Sequence, residues 1–160
     1  MFVEFTLLPE TARLWVYPSS RKFYADETPE IEEKIKKFLG TWKEESPSFK
    51  ASYQIQYNRF IILAADDMEA KMTTQDIDTS VQFILQLQEE HNVILLDKMN
   101  VCFKQGEYVQ YKELKDFKKL LKNKALTGKS IVFDNLVQTK EEYEHYWEAP
   151  IEESWYNRFL

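Results

Sequence analysis

The sequence predicts an α+β fold in which a mixed β-sheet is covered by helices. Segments with the two-residue period of strands alternate along the chain with segments that have the period of amphipathic helices. The predicted order begins strand–helix–strand–strand–helix–strand, the order of a split βαβ, or ferredoxin-like, arrangement, and a strand, a helix, a strand and a helix follow. With 160 residues, 44% of them hydrophobic, the chain can bury the core of one domain. We therefore expect a single domain with a ferredoxin-like N-terminal part and a βαβα extension.

The first strand and the first helix have recognisable end signals. Residues 12–17 (ARLWVY) are rich in β-formers and are followed by Pro18, so they are predicted to form a strand. Thr28 and Pro29 then provide a capping residue and a proline at the first helical position. Apolar residues recur at steps of three and four after them, which predicts an amphipathic helix that ends near Gly40: Ile31, Ile35, Phe38, Leu39 and Trp42.

Residues 51–65 pose a choice between a hairpin and one long, bent strand. Residues 51–57 alternate between apolar and polar side chains, as in a half-buried strand, and residues 60–63 are continuously apolar, as in a central strand. A single strand of this length would extend for about 50 Å, which is too long for this domain. The sequence therefore favours a tight turn at residues 57–59, with Asn58 as the residue most tolerant of a positive φ. The bent strand is the alternative.

The second half of the chain continues the alternation of strands and helices. Asp76 or Asp78 is predicted to cap a second helix, whose apolar face includes Ile77, Val81, Ile84 and Leu85. Residues 93–112 are predicted to contain two strands joined by a turn at Gly106. A third helix, a further strand and a last helix follow, and a capping box at residues 139–142 opens the last helix.

Composition and charge restrict the partners and the compartment. The net charge of -6 and the pI near 5.1 argue against a general nucleic-acid binder, which needs a clustered positive surface. The Lys-rich helix at residues 112–124 is the one basic segment, and a solvated lysine face is favoured there over contact with nucleic acid or a membrane surface. Residues 1–15 lack the features of a signal peptide, and no run of about 18 apolar residues could span a bilayer. The sequence therefore predicts a cytoplasmic protein without membrane contact.

The cysteine and the histidines suggest no metal or cofactor site. Cys102 is the single cysteine, which excludes an internal disulfide, and its strand-like surroundings favour a buried small apolar residue over a reactive thiol. His91 and His145 lie far from it in the sequence, so a structural zinc site is not expected. His91 ends the second predicted helix, where a histidine can complement the helix dipole. We expect no cofactor, no metal and no catalytic histidine.

Residues 128–130 (GKS) match the end of a phosphate-binding loop, and Asp134 follows an apolar run as a metal-binding aspartate would. Such a loop needs a strand before its glycine-rich turn and a helix after it, so that its amides wrap around the phosphates. Here Asn123 stands at the upstream glycine position, a Lys-rich helix precedes it and a strand follows. The predicted order is the reverse of the required one, Gly128 is explained as a turn residue, and ATPase activity is not expected.

Two polar clusters are candidates for ligand binding. Ser19, Ser20, Arg21 and Lys22 follow the first strand directly, in a strand-to-helix loop where anion contacts are common. Asp97, Lys98 and Asn100 are expected at or within a strand, where alternation would send Lys98 and Asn100 to the face of Cys102 and Asp97 to the opposite face. A charge in such an apolar setting needs a partner. A structural salt bridge or an exposed edge strand is favoured for these three residues over a ligand site.

Several stretches together resemble one family of bacterial proteins of about this length. They are LPETARLWVYPSSRKF, KASYQIQYNRFIILAADD, LLDKMNVCFKQGEYVQYK, IVFDNLVQTKEEY and ESWYNRF, and the resemblance covers nearly the whole chain. Some members of that family carry the label "ABC transporter ATPase". The resemblance implies a bacterial origin and a single short domain, and it implies no particular ligand or catalytic residue.

Two functional hypotheses remain, from different classes. The first is a non-catalytic cytoplasmic binding or protein-interaction domain, with an aromatic, acidic tail at about residues 148–160 that packs on the domain or into a partner or second copy. The second is an enzyme or a protein that binds a small molecule or anion, with a pocket near Arg21, Lys22, Asp97, Lys98 and Asn100. Convergence of those polar residues in one concave pocket would favour the second hypothesis, and their dispersal would favour the first.

Overall fold

Seven strands and four α-helices alternate along the part of the chain described by the computed structural model, residues 1–43, 47–97 and 99–160. The helices are α1 (Thr28–Thr41), α2 (Thr74–His91), α3 (Leu114–Lys122) and α4 (Lys140–Tyr146). The strands are β1 (Arg13–Pro18), β2 (Lys50–Gln56), β3 (Phe60–Asp66), β4 (Val101–Gln105), β5 (Tyr108–Lys112), β6 (Ile131–Phe133) and β7 (Glu148–Pro150). Short 3₁₀ helices lie at Phe5–Leu7, Ile151–Glu153 and Trp155–Phe159.

The strands form two sheets, and the predicted α+β class is confirmed. The first sheet has the order β1-β3-β2 and the second has the order β5-β4-β6-β7. Every strand pair in them is antiparallel, and the one parallel bridge among the described residues joins Phe2 to Ala51 at the edge of the first sheet. The sheets are therefore antiparallel where the sequence suggested a mixed sheet.

The helices and sheets stack in four layers, because each sheet buries side chains on both of its faces. One face of the first sheet packs against α1 and α2, with a core that includes Ile35, Leu39, Ile61, Leu63, Ile84 and Leu87. Its other face packs on the second sheet, through Leu14, Val16, Phe60, Ile62, Cys102 and Phe133. The outer face of the second sheet packs against α3 and the C-terminal residues, through Val101, Phe103, Phe117, Val132 and Ile151.

The predicted hairpin in residues 51–65 is confirmed. Gln56 pairs with Phe60, so a three-residue turn of Tyr57, Asn58 and Arg59 joins β2 to β3. The central strand β3 is buried from Phe60 through Ala65, in keeping with its continuous apolar run. Asn58 has a φ of 50°, as expected, but Tyr57 also has a positive φ, of 55°. Bulky residues rarely take this conformation.

The split βαβ arrangement holds for the first three strands and not for the fourth. In that arrangement β4 would lie beside β1 in one sheet. Instead β4 belongs to the second sheet, and a bridge between Arg13 and Thr139 lies at the free edge of β1. The amide of Leu14 donates to the carbonyl of Gln138 at 3.0 Å in the same place. Residues 138–139, which are distant in the sequence, therefore lie at the edge of β1 where the sequence predicted β4.

The prediction that Asp97, Lys98 and Asn100 lie at or within a strand is wrong for the two that the structure describes. The strand β4 begins at Val101, and Lys98 lies outside the described residues. The carboxylate of Asp97 accepts from the amide of Met99 at 2.8 Å and from Nδ2 of Asn100 at 2.9 Å. An aspartate that binds nearby backbone in this way stabilises a turn in competition with a strand, so the predicted alternation of faces fails.

The helix starts differ from the predicted ones by a few residues. Thr73, and not Asp76 or Asp78, caps α2, and Asp76 completes a capping box by accepting from the amide of Thr73 at 2.8 Å. The sequence predicts Thr28 as the capping residue before α1, but Thr28 is already the first residue of the helix. Thr139 caps α4 as predicted, since its hydroxyl accepts from the amide of Glu142 at 3.1 Å.

Candidate functional site

Arg21 is held by an internal ion pair and does not reach towards Asp97. Its Nη1 donates to Oε1 of Glu27 at 2.6 Å, and its Nη2 donates to the carbonyl of His91 at 2.7 Å. These hydrogen bonds lower the pKa of Glu27 below its ordinary value and raise the pKa of Arg21. Arg21 therefore ties the loop after β1 to the end of α2, which is a structural role.

His91 extends the same network to α1. Its Nδ1 lies 3.2 Å from Oε2 of Glu27, and its Nε2 lies 3.1 Å from Nζ of Lys34. Because an ammonium group can only donate, Nε2 accepts from Lys34 and Nδ1 carries the proton that binds Glu27. The side chain of His91 is only 6% exposed. It links three side chains in the fold and is not presented to a cleft.

Ser19 and Ser20 use their hydroxyl groups to hold the loop. Ser19 is fully buried, and its Oγ accepts from the amide of Arg21 at 3.3 Å. The hydroxyl of Ser20 accepts from the amide of Ile94 at 3.0 Å, and the Ser20 amide donates to the Ile94 carbonyl at the same distance. The backbone carbonyls of both serines meet one side chain that the sequence did not single out, Arg59.

Arg59 is the centre around which these loops assemble. Its Nε donates to the carbonyl of Ser19 at 3.1 Å, its Nη2 to the carbonyl of Ser20 at 3.0 Å, and its Nη1 to the carbonyl of Val109 at 2.7 Å. Within residues 1–43, 47–97 and 99–160, no carboxylate oxygen lies within 4.0 Å of a guanidinium nitrogen of Arg59, so Arg59 has no ion-pair partner there. Burial lowers the pKa of Arg59. The guanidinium is thus a half-buried cation whose protein acceptors are neutral.

Tyr111 and Cys102 line the inner side of Arg59. The Tyr111 ring centroid lies 5.8 Å from Cζ of Arg59, and its buried hydroxyl has no hydrogen-bond partner in the described part of the chain. Asn100 lies near that hydroxyl, but the two groups do not have the geometry of a hydrogen bond. Burial, together with the charge of Asp97, raises the pKa of Tyr111. Cys102 is fully buried, as predicted, and burial raises its pKa to about 12. The thiol is therefore protonated and inert.

Arg59 also lines a cleft on the outer side, which we call the hairpin cleft. It has a volume of about 380 Å³ and lies between the β2–β3 turn and the β4–β5 turn. The residues that define it are Lys22, Tyr57, Arg59, Glu107 and Tyr108. Gly106 permits the tight β4–β5 turn with a φ of 63°. The cleft therefore joins two hairpin turns and the loop after β1.

The tyrosine walls of the hairpin cleft differ in how firmly they are held. The hydroxyl of Tyr57 donates to the carboxylate of Glu148 at 2.8 Å, and its ring packs edge-on against Phe133 at 5.4 Å. Lys104 pairs with the same carboxylate and lies 4.9 Å from the Tyr57 ring centroid. Tyr108, on the other wall, is 74% exposed. One wall is therefore fixed by three contacts and the other is open to solvent.

The six predicted site residues that the structure describes do not converge in one pocket. Lys22 lines the hairpin cleft, and Ser19 and Ser20 position Arg59 through their carbonyls. Arg21 lies in the ion pair with Glu27, Asp97 and Asn100 lie in the turn before β4, and Lys98 lies outside the described residues. Sequence reasoning missed Arg59. The available signal was a charged residue directly before a fully apolar strand, where it must find acceptors.

Residues 123–130 do not form a phosphate-binding loop. The helix α3 precedes them and β6 follows, the order predicted from the sequence. Their amides are used within the turn: those of Asn123, Lys124, Ala125, Leu126, Thr127, Lys129 and Ser130 all donate to atoms of residues 119–130. A Cβ on Gly128 would lie 3.0 Å from Oε2 of Glu152, so close packing against the C-terminal residues explains this glycine. The amides cannot wrap around a phosphate.

Comparisons with known proteins add no functional information. No protein-family model, curated protein or solved structure matches the chain significantly. The resemblance to a bacterial family therefore stays a prediction. Across the described ranges, no three His, Cys, Asp or Glu side chains are grouped closely enough to hold a metal ion, and no described helix is long and apolar enough to cross a membrane. The function has to be argued from the geometry of the hairpin cleft and its surroundings.

Proposed function

We propose that this protein is a non-catalytic cytoplasmic binding protein that docks a partner protein at one end of its two sheets. This surface, the hairpin end, comprises the loop of residues 19–24, the β2–β3 turn, the β4–β5 turn and Ile94. The observation that carries the proposal is a pair of exposed tyrosines that line the same cleft as the half-buried Arg59: Tyr57 is 38% exposed and Tyr108 74%. Tyr24, which is 61% exposed and packs on Arg21, adds a third aromatic ring to the loop of residues 19–24. Tyrosine and arginine are enriched at the centres of protein interfaces.

The backbone of the hairpin end supports a role in binding. The amide of Phe23 donates to the carbonyl of Asn58 at 2.7 Å, and the amide of Ser19 donates to the carbonyl of Arg59 at 2.9 Å, so the loop is fixed to the turn. Tyr57 holds a positive φ that is unfavourable for a bulky residue, and such strain is often found at functional sites. A pre-ordered surface loses less conformational entropy when a partner binds.

The polar residues considered for catalysis support a structural role instead. Arg21, His91 and Glu27 bind one another, and Ser20 and Asp97 bind the backbone around them. A catalytic group needs an acceptor or donor position left for the substrate, within hydrogen-bond reach of a cleft. These side chains meet their partners inside the protein, which favours binding over catalysis as the function.

A site-specific crosslinking experiment tests the proposal. Benzoylphenylalanine placed at position 108 is expected to capture a partner from a cell extract. The same probe at position 68 provides the background, because Met68 is 66% exposed in the loop after β3, at the opposite end of that strand from the β2–β3 turn. The captured protein is then purified and its affinity measured by calorimetry. We expect Tyr108→Ser to weaken binding at least about tenfold, as for an interface tyrosine, and Met68→Ser to leave it unchanged.

The same measurements can contradict the proposal. Capture only from position 68, or an affinity that falls in Met68→Ser and not in Tyr108→Ser, would place the interface elsewhere. Capture of a second copy of this chain would mean that the surface forms a homodimer and does not bind a different protein. The mass of the protein measured by sedimentation would show such a homodimer. An enzyme activity of the purified protein, measured without any partner, would contradict the proposal that the protein is non-catalytic.

A further inference from the structure

The charge of Arg59 is not compensated by the protein around it. A guanidinium has five N–H donors, and three of those of Arg59 bind the carbonyls of Ser19, Ser20 and Val109. Two N–H groups remain without a hydrogen bond to the described residues. A half-buried cation surrounded by neutral acceptors attracts an anion, and a charge-assisted hydrogen bond to an oxyanion is stronger than one to a carbonyl. Arg59 therefore presents an anion-binding face where it lines the hairpin cleft.

Lys22 and Glu107 set the charge that the hairpin cleft can accept. Lys22 is exposed on the rim, and none of the ion pairs of the described residues involves it. Glu107 lines the same cleft and opposes the two cations. The remaining positive charge matches one singly charged anion. Arg59 and Lys22 together outweigh Glu107, so the cleft attracts anions. This attraction grows in proportion to the charge of the anion, whereas the cost of removing an ion from water grows with the square of its charge, so a carboxylate suits the cleft better than a phosphate dianion.

The walls of the hairpin cleft suit a carboxylate on a peptide. Tyr57 and Tyr108 stand on opposite sides of it, and each offers an apolar ring with a polar edge. The methylene groups of an aspartate or glutamate side chain, and the residues next to it, can pack on such rings. The volume of about 380 Å³ accommodates one such residue with its neighbouring backbone.

From these observations we infer that the hairpin cleft binds a carboxylate of an acidic segment of the partner protein, held by Arg59 and Lys22. This inference rests on the proposed function, because it assigns the chemistry of the partner at the same surface. Arg59 supplies its remaining N–H donors, and Lys22 supplies a second positive charge from the rim. Glu107 limits the net positive charge of the cleft, which favours a singly charged group.

Titration with acetate tests the inference on the isolated protein. Nitrogen-15 NMR follows the Nε–H group of Arg59 and the amides of Tyr108 and Gln110 while acetate is added at constant ionic strength against sodium chloride. We expect saturable shifts with a Kd of about 10 mM, since a ligand of four heavy atoms supplies little binding energy. The acetylated and amidated peptide Gly-Glu-Gly should bind more tightly than acetate because its flanking residues can contact the tyrosines.

Four variants identify the groups responsible. Lys22→Ala is expected to weaken acetate binding about fivefold, as for a partly exposed charge pair, and Glu107→Gln to tighten it about threefold. Arg59→Lys is expected to abolish measurable binding, because lysine cannot replace a planar guanidinium. Lys37→Ala, an exposed lysine on α1, is the matched control and should leave the Kd unchanged. If Arg59→Lys is not folded by circular dichroism, the Lys22 and Glu107 variants still decide the question.

Three outcomes would overturn the inference. The first is the absence of acetate-specific shifts beyond those caused by chloride. The second is equal weakening by Lys22→Ala and Lys37→Ala, which would indicate screening of the whole protein charge. The third is binding of hydrogen phosphate at pH 8 more than tenfold tighter than that of acetate, which would make the site a phosphate site. A partner that depends on Tyr108 but ignores added acetate would contradict this inference alone and leave the proposed function standing.

Discussion

Tyr57, Asn58 and Arg59 illustrate how single residues shape the hairpin end. The first two have positive φ values, 55° and 50°, and the third is a half-buried cation. The conformation of Tyr57 and the buried charge of Arg59 are unfavourable when considered alone, and both are balanced by contacts across the fold: the Tyr57 ring with Phe133, and the Arg59 guanidinium with three carbonyls. The turn is therefore defined by its environment as much as by its own residues.

At position 58 the backbone conformation can be tested directly. Asn58→Ala is expected to lower the free energy of unfolding by about 1 kcal/mol, because alanine tolerates a positive φ less well than asparagine. Asn58→Gly should stay within about 0.5 kcal/mol of the wild type. Urea denaturation followed by tryptophan fluorescence measures both. An alanine variant as stable as the glycine variant would mean that the turn does not have the left-handed conformation.

Glu27 should make stability depend on pH. Its pKa is lowered below its ordinary value of 4.5, chiefly by the hydrogen bond from Arg21. The stabilisation is therefore present above about pH 4.5 and is lost as the pH falls through the lower folded-state pKa. We expect Glu27→Gln to be clearly less stable than the wild type at pH 7, with a difference that shrinks by pH 3. Glu33→Gln, at an exposed position of α1, is the control and should change little at either pH. A difference for Glu27→Gln that is the same at both pH values would contradict the ion pair.

At the scale of elements, hydrogen bonds at the ends decide where each helix and strand begins. Thr73 and Asp76 satisfy one another's amides at the start of α2. Asn92 ends α2 with a φ of 53°, and its amide donates to the carbonyl of Gln88. The turn of Asp97 delays β4 until Val101. In each case a polar side chain or a left-handed residue supplies what the backbone of the element lacks at its end.

Substitutions can show which residue caps α2. Thr73→Ala is expected to reduce the free energy of unfolding by about 1 kcal/mol, since the amide of Asp76 loses its acceptor. Asp78→Ala, at an exposed position of the same helix, should have an effect below about 0.5 kcal/mol. Chemical denaturation measures both. A larger loss from the Asp78 variant would favour the cap position expected from the sequence.

The order α3, turn, β6 leads to a prediction about nucleotides. Magnesium and ATP are expected to leave the thermal unfolding midpoint of the protein unchanged, because every amide of residues 123–130 except that of Gly128 donates to an atom of residues 119–130. Lys129→Ala should behave in the same way with and without nucleotide. Differential scanning fluorimetry measures the midpoints. A rise of several degrees that disappears in the Lys129 variant would show that this segment binds ATP.

At the scale of the whole molecule, the second sheet and the C-terminal residues close the fold. The strand β7 adds to the edge of β6, and the Ile151 side chain is fully buried. Tyr156 and Phe159 pack on the outer core around Phe117, and the Tyr156 ring centroid lies 5.4 Å from that of Phe117. Residues 148–160 therefore cover the outer face of the second sheet together with α3, and Tyr156 and Phe159 contribute to its core.

The contribution of the C-terminal residues can be measured with two neighbouring aromatic positions. Tyr156→Ala is expected to lower the free energy of unfolding by about 2 kcal/mol, because a largely buried ring leaves a cavity against Phe117. Trp155→Ala should have less than half of that effect, since Trp155 is 52% exposed and its ring packs on the solvent-exposed side chain of Arg158. Thermal and chemical unfolding compare the two variants. Equal losses would mean that the segment packs differently.

The sequence by itself determined the α+β class, the hairpin in residues 51–65, the burial of Cys102 and the reversed order around Gly128. These features depend on local patterns: the period of apolar residues, the reach of an extended chain, and the turn residues next to it. The sequence also placed Ser19, Ser20 and Lys22 in the loop after β1, because polar residues directly after a strand belong to a loop.

Only the tertiary structure decided that β4 belongs to a second sheet, that Arg21 pairs with Glu27, and that Arg59 lies at the centre of the hairpin end. Each of these depends on contacts between residues far apart in the chain, such as Arg59 with Val109 and Arg21 with His91. Local periodicity carries no information about which distant edge a strand will pair with, or about which carbonyl a guanidinium will reach. Those choices are made by the packing of the whole chain, in which buried charges and strand edges must find partners.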